Sequence, residues 1–328
     1  MLLDHRPLKS LQVGEEITDY FVIRKTELRS KKEDGTPYLS LELGNANGRI
    51  RATVWEDAEQ RSREYPVGAR VKVRGKVVQY RGRPALQVEK IRPVREDEAL
   101  ETADLLPPPR RPLEEIKEEF FGLIGSVAEP NLLALLQTVF SEEFWQRFSV
   151  SPAGKLWHHN RIGGLAEHTL GVAKICDFLA GRYAAVQRDL LVTGALLHDI
   201  GKVVAYQSEQ GFIDFTDEGR LLGHLSIGAS MVERAMRSLP NFPRELFNQV
   251  LHLVLSHHGE LEKGASVVPM TLEALILYLA DELDSKIDAY LRIAESERTS
   301  ERRWSQYVRL LDRFFYFPPG LNLDRGDS

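Results

Sequence analysis

Leu190-Leu191-Val192-Thr193-Gly194-Ala195-Leu196-Leu197-His198-Asp199-Ile200-Gly201-Lys202 is the stretch whose reading decides the fold. Its first eight residues are almost wholly apolar and read as a buried helix, and Gly201 supplies the stop that a helix C-terminus favours. The helix ends by presenting His198 and Asp199 side by side. Burying a carboxylate costs on the order of several kcal/mol unless it is paired or bound to a cation. A hydrogen-bonded His-Asp pair with a purely structural role explains the dipeptide as well as a chemical role does, so the rest of the chain has to decide.

With 328 residues there is room for two or three domains. A hydrophobic content of 43% and a charged content of 28% describe an ordinary soluble globular chain. One cysteine, Cys176, excludes an internal disulfide framework and a cysteine-based zinc site; it lies in an apolar helical stretch and is expected in the core. There is no signal pattern and no apolar run of about 18 residues, so a cytoplasmic protein with no membrane partner is expected. The net charge of -5 is unevenly spread. Residues 11–95 hold 18 Lys and Arg against 12 Asp and Glu, and the remainder carries -11. A basic first module on an acidic body suggests that the first part holds a polyanion, although a solvated surface would give the same count.

From Gly14 to Arg95 the chain alternates in short runs. Tyr20–Leu28, Tyr38–Leu43 (with Leu39, Leu41 and Leu43 at period two), Arg49–Trp55, Ala69–Tyr80 and Ala85–Ile91 read as strands, and Glu56–Tyr65 reads as a helix. Three strands, a helix and two strands are the order of an all-β OB-fold barrel over residues 1–95. Cations such as Arg24, Arg49 and Arg51, with rings such as Tyr38 and Trp55 among them, are what a single strand needs: charge along its backbone and stacking for its bases. Residues 96–112, ending Pro107-Pro108-Pro109-Arg110-Arg111-Pro112, read as a semi-rigid linker. Residues 113–328 read as an all-α domain, with helical spacing over Leu113–Val127, Asn131–Phe148, Leu165–Leu179, Arg188–Asp199, Ser226–Arg237, Arg244–Ser256, Thr271–Ile287 and Ser300–Phe315. Val203–Phe215 reads as either a hairpin or a loop.

Seven of the nine histidines lie between Trp157 and Leu225 or at His257-His258. A lone helical histidine is most often a satisfied core residue. What that does not explain is the series His168, His198-Asp199, His224, His257-His258 and then Asp281 inside a nearly all-apolar helix. Imidazole and carboxylate together suit Mn2+, Fe2+, Co2+, Ni2+ or Zn2+. Asp199 is the natural bridge between two such ions, and pairs of ions about 3.5–4 Å apart are the usual arrangement for cutting phosphodiesters.

This series resembles the HD-domain metal-dependent phosphohydrolases, whose pattern is a His, a distant His-Asp and a distal Asp; His168, His198, Asp199 and Asp281 match it. Asp284 and Asp288 are also within reach of the distal position, and Asp281 is preferred because it directly follows the apolar run. With a barrel ahead of the HD domain and Gly163-Gly164-Leu165-Ala166-Glu167-His168-Thr169 leading into it, the chain is similar to the YhaM family of 3′-to-5′ exoribonucleases. The resemblance implies two divalent ions, Mn2+ foremost. His168, His198, Asp199 and Asp281 would hold the first. Asp199 would bridge to a second held by His224, His257 and His258. Lys202 would neutralise a phosphate oxygen or, alternatively, complement a helix dipole. His158, His159 and Arg161 would contact phosphate or protonate the leaving oxygen.

The expected activity is exonucleolytic hydrolysis of single-stranded RNA, with single-stranded DNA also open, to nucleoside monophosphates. An HD phosphodiesterase for small nucleotides or cyclic dinucleotides is one alternative, and the basic barrel argues against it. A non-catalytic strand-binding protein is the other, and the full ligand set argues against that. The aromatic tail, Trp304, Tyr307, Phe314, Phe315, Tyr316 and Phe317, reads as core or as a subunit contact, and a homo-oligomer is expected.

Overall fold

Leu39, Leu41 and Leu43 alternate along β2 (Pro37–Asn45), and all three are buried. Each faces an apolar partner on β3 (Gly48–Val54): Leu39 opposite Val54, Leu41 opposite Ala52 and Leu43 opposite Ile50. Period-two burial fixes the register, because a one-residue slip of β2 would turn its three leucines to the other face. The structure is a computed structural model describing residues 8–98, 100–155, 159–208, 211–298, 303–321 and 323. Two units emerge: Met1–Arg110 with Gln207–Asp214, and Arg111–Tyr206 with Phe215–Ser328.

In the first unit, β1 (Glu16–Ser30), β2, β3, β4 (Arg70–Tyr80) and β5 (Arg83–Pro93) close a barrel in the order β1-β2-β3-β5-β4. The β3–β5 pair is parallel and the others are antiparallel. The helix α1 (Ala58–Glu64) lies between β3 and β4 in sequence, as the OB order requires. Part of the expected linker is folded. A short helix, α2 (Thr102–Leu105), buries Leu105 and Leu106, and the Asp104 carbonyl accepts a hydrogen bond from the Ala46 amide. Arg24 is the extra residue of a bulge in β1. Its guanidinium lies over Gly44 and donates to the carbonyls of Leu105 (3.0 Å) and Gly211 (3.3 Å). Burial first, then the neighbouring Arg49, pulls its pKa down to about 10. Arg24 therefore ties chain segments together and is not an outward cation for a strand.

The second unit is helical: α3 (Leu113–Gly125), α4 (Pro130–Val139), α5 (Glu142–Phe148), α6 (Gly164–Arg182), α7 (Arg188–Leu197), α8 (Lys202–Ala205), α9 (Asp217–Ser238), α10 (Arg244–Ser256) and α11 (Leu272–Glu297). The single helix expected over Asn131–Phe148 is broken because Ser141 caps α5, accepting from the Phe144 amide. Of Val203–Phe215, the first three residues belong to α8 and the rest carries a two-stranded pair, β6 (Tyr206–Gln207) and β7 (Asp214–Phe215), with 209 and 210 outside the described residues. Cys176 is buried among apolar neighbours. No helix among the described residues is long and apolar enough to cross a membrane.

Two expectations fail for stated reasons. Gly201 does not end its helix in the left-handed conformation, since its φ is -63°. Its missing side chain serves a close approach instead: a Cβ there would lie 2.1 Å from the His224 carbonyl oxygen and 2.6 Å from the Gly228 nitrogen. The Ser300–Phe315 helix does not form over the described residues. Trp304 pairs with Tyr316 and Val308 with Arg313 around a turn at Asp312 (φ 53°), in keeping with the strand preference of aromatic residues. Of the six tail aromatics only Phe317 is fully buried.

Gly201→Ala should therefore cost the metal-free protein about 1–3 kcal/mol through a backbone clash. Gly122→Ala, in open space on α3, should be neutral or slightly stabilising. Urea denaturation of both variants checks this, and equal midpoints would refute the close-approach reading.

Candidate metal centre

Four helix ends and one helix interior bring the predicted ligands together. Gly164 lets the His159–Gly163 loop press onto the start of α6, because a Cβ there would lie 1.9 Å from the His159 carbonyl oxygen. This sets His168 one turn into α6. His198 and Asp199 follow α7, and Gly194 in α7 permits close crossing with Leu253 of α10. His224 follows a kink in α9 at Gly223 (φ 74°). His257 and His258 follow α10, and Asp281 projects from α11.

The two oxygens of Asp199 face different groups. Oδ2 lies 3.2 Å from His198 Nε2 and 3.5 Å from His168 Nε2. His168 Nε2 is also 3.1 Å from Asp281 Oδ1. On the other side, Oδ1 lies 3.4 Å from His224 Nε2 and 3.5 Å from His257 Nε2. His258 completes a three-imidazole cluster with these two.

The ring orientations are set from behind. The Nδ1–H groups of His198, His257 and His258 donate to the carbonyls of Ala195 (2.7 Å), Val254 (2.8 Å) and Lys263 (3.1 Å). Each Nε2 lone pair is thereby turned inward, the usual arrangement of a ligating histidine. Asp199 Oδ1, His224 Nε2 and His257 Nε2 are buried with no hydrogen-bond partner. Leaving a buried polar atom unpaired costs about 1–3 kcal/mol, and more for a charged one. Three such atoms converging on one point fit a cation ligated by nitrogen and oxygen, so the residues present suit a divalent metal.

Electrostatics agree. Burial alone would raise the Asp199 carboxyl, but Lys202 and His198 hold it well below the usual range. Burial likewise opposes ionisation of Asp281, and His168 more than offsets it. Burial keeps His224 neutral and pulls His258 down to about 4. In the metal-free protein burial would also depress His168, yet Asp199, Asp281 and Asp284 together raise it well above the ordinary imidazole value. A proton on His168 stands there in place of a metal cation.

Other predicted site residues are placed differently. Lys202 is buried with Nζ 2.5 Å from Asp199 Oδ2, and it opens α8, where a cation opposes the dipole. It pairs with Asp199 and does not cap a helix. His159 and Arg161 are buried, and their side chains bond to Asp284, Glu167 and Asp288. They cannot touch a phosphate or a leaving oxygen, which corrects both expectations. His158 lies outside the described residues. Glu167, Asp284 and Asp288 were not recognised as this supporting layer. The signal was present: Asp281, Asp284 and Asp288 share one helical face.

On the barrel, Tyr38 and Trp55 pack with centroids 5.0 Å apart, and Lys31 sits 4.5 Å over the Trp55 ring. Arg51 lies 4.8 Å and Arg81 5.5 Å from the ring centroid of Tyr80. Trp55 and Tyr80 are partly exposed. Arg49 is exposed and bonds Glu42 at 3.1 Å. These residues border the β2–β3 face and the β1–β2 and β4–β5 loops, where OB folds take up nucleic acid.

Fold and centre together define an HD-domain protein carrying a nucleic-acid-binding barrel. The HD domain family matches residues 165–286, and the OB-fold nucleic acid binding domain family matches residues 22–94. The 3′-5′ exoribonuclease YhaM of Bacillus licheniformis is 33% identical over 308 residues, 94% of this chain and 96% of that protein. YhaM of Bacillus subtilis is 33% identical over 307 residues, again 94% and 96%. The chain belongs to the YhaM family of 3′-5′ exoribonucleases. Among solved structures, the second OB-fold domain of replication protein A from Methanococcus maripaludis overlays with a TM-score of 0.23 at 25% identity, over 29% of this chain and 96% of that one.

Ligation through His168 Nε2 requires a neutral ring, so metal uptake at pH 7 should release about one proton. Metal affinity should rise with pH until His168 is deprotonated. The metal-free fold should correspondingly lose the His168 contribution as pH climbs from the ordinary imidazole value through the raised one. Calorimetric titration in two buffers of different ionisation enthalpy reads the proton, and identical heats in both would refute it.

Proposed function

We propose that this chain hydrolyses single-stranded RNA from its 3′ end, releasing nucleoside monophosphates at the HD centre. The observation that carries the proposal is Asp199, whose two buried oxygens are divided between two sets of imidazoles, His168 and His198 on one side and His224 and His257 on the other. That division supports two ions. Mn2+ is the ion the family resemblance implies, and the nitrogen and oxygen donors suit Co2+, Fe2+, Ni2+ and Zn2+ as well. Bound there, divalent ions supply Lewis-acid polarisation of the phosphodiester and acidify water.

The chain's own residues prepare the place for that chemistry. Lys202 keeps Asp199 ionised and fixes its orientation. The carbonyls of Ala195, Val254 and Lys263 hold three rings in the ligating tautomer. On the barrel, Trp55 and Tyr80 offer stacking faces, and Lys31, Arg51 and Arg81 lie beside them for the backbone. Such contacts read little sequence. Self-association of the chain is supported by Trp304, Tyr307, Phe314 and Tyr316, which stay exposed; light scattering should report more than one copy.

His198→Ala should lower turnover of 3′-labelled single-stranded RNA on the order of 10^3-fold, the equivalent of several kcal/mol of lost metal stabilisation. Strand binding should stay near wild type. Trp55→Ala with Tyr80→Ala should do the reverse, weakening binding by about 1–3 kcal/mol per stacked base while the maximal rate persists. Parallel assays with single-stranded DNA and a cyclic dinucleotide, each with Mn2+ and with EDTA, decide the substrate class. Turnover of the cyclic dinucleotide alone, or binding without turnover in any metal, would overturn the proposal.

A further inference from the structure

Behind the metal centre lies a second layer of charge, held together by hydrogen bonds. Asp284 Oδ2 accepts two hydrogen bonds from imidazoles: Nδ1–H of His168 at 2.7 Å and Nε2–H of His159 at 2.9 Å. The tautomer of His159 is itself dictated, because Arg161 Nη2 donates to its Nδ1 at 3.0 Å. Arg161 cannot turn away, since Nε is held by Glu167 (2.9 Å) and Nη2 by Asp288 (2.9 Å). Asp288 also accepts from the His159 backbone amide at 2.7 Å, pinning a residue in the left-handed region (φ 43°) that few non-glycine residues adopt. On α6, Gly171 leaves room for the other Asp284 oxygen: a Cβ there would stand 2.7 Å from Oδ1.

Three groups here, His159, His168 and Asp284, have donor atoms close enough together to hold a metal. The pairing argues otherwise. The 2.7 and 2.9 Å contacts are ordinary hydrogen bonds on a single oxygen. In the ligand sets the inward atoms of His224 and His257 are unpartnered.

We infer that Asp284 is a positioning residue that locks His168 as the Nδ1–H tautomer and aims its Nε2 at the metal, and that Arg161, through His159, holds Asp284 in place. The inference rests on the reading of the centre as a metal site. Supporting partners of this kind are worth roughly 10–100-fold in metal affinity.

Its test needs no RNA. Asp284→Asn keeps the volume but puts an N–H donor where one oxygen must accept twice. Gly171→Ala leaves every charge in place and displaces the carboxylate. Both should weaken Co2+ binding about 10–100-fold in a visible-absorption titration, with the same number of ions bound at saturation. In the metal-free protein at a pH above the raised His168 value, where the ring is neutral, imidazole 15N shifts should show His168 as a single Nδ1–H tautomer in wild type and a mixture in the variants. His159→Gln retains a donor toward Asp284 and should lose less, and it carries the same readouts if Asp284→Asn does not fold. Unchanged Co2+ affinity and tautomer overturn the inference. So does a lost equivalent of Co2+ at saturation, which would make Asp284 a ligand. Wild-type protein that binds Co2+ yet leaves RNA intact would count against the proposed function and leave this result standing.

Discussion

The centre depends on a carboxylate placed where water cannot reach it. Asp199 is almost completely buried, as are His168, His198 and His257 around it. Lys202 answers one oxygen and leaves the other facing two imidazole nitrogens that, like it, have no hydrogen-bond partner. Asp281 adds a second negative charge on the same side. Desolvated charge of this kind is tolerated only when something positive balances it. The surrounding fold serves that requirement. The apolar length of α7 walls the site, and Gly164, Gly194 and Gly201 let segments approach closely enough for four helix ends to meet.

The chemistry and the recognition rest on different kinds of structure. The ligands come from helix ends and one helix interior packed into a hydrophobic core, where carbonyls one turn back hold the rings of His198 and His257. Rigid support matters there because a metal tolerates little error in ligand position. The barrel instead offers partly exposed rings with cations laid over them, an arrangement that adapts to any base. The charge asymmetry read from composition matches this division, with the positive excess in the barrel and the negative excess with the ligands.

Much of this was legible in the sequence, and the exceptions share a cause. The alternation of Leu39, Leu41 and Leu43 marked the buried face of β2 because burial at period two is a local property. The ligand set was legible because histidines and an aspartate in apolar helices need a reason to be there. Arg24 was read as an outward cation, and His159 and Arg161 as groups that reach a phosphate or the leaving oxygen. An arginine looks alike in sequence whether it follows a phosphate or is clamped between two carboxylates, and only long-range packing separates the cases. Gly201 was read from local conformational preference, whereas its partner lies on α9, more than twenty residues away. The tail was given a helix because spacing alone cannot weigh the strand preference of its aromatic residues.

The contrast between paired and unpaired nitrogens carries a general consequence for reading such a site. A histidine that supports and a histidine that ligates can be equally buried and equally close to aspartates, as His159 and His257 are here. What separates them is whether the inward nitrogen already has a partner. Both ring nitrogens of His159 are engaged, by Arg161 and Asp284. His257 spends one on a carbonyl and leaves the other unanswered. His168 joins the layers, with Nδ1 committed to Asp284 and Nε2 turned to the carboxylates of the centre. A polar network is stable only when each member is satisfied. Asp199 Oδ1 and the two imidazole nitrogens facing it are three unpartnered atoms that converge on one another, and there the fold leaves room for a cation.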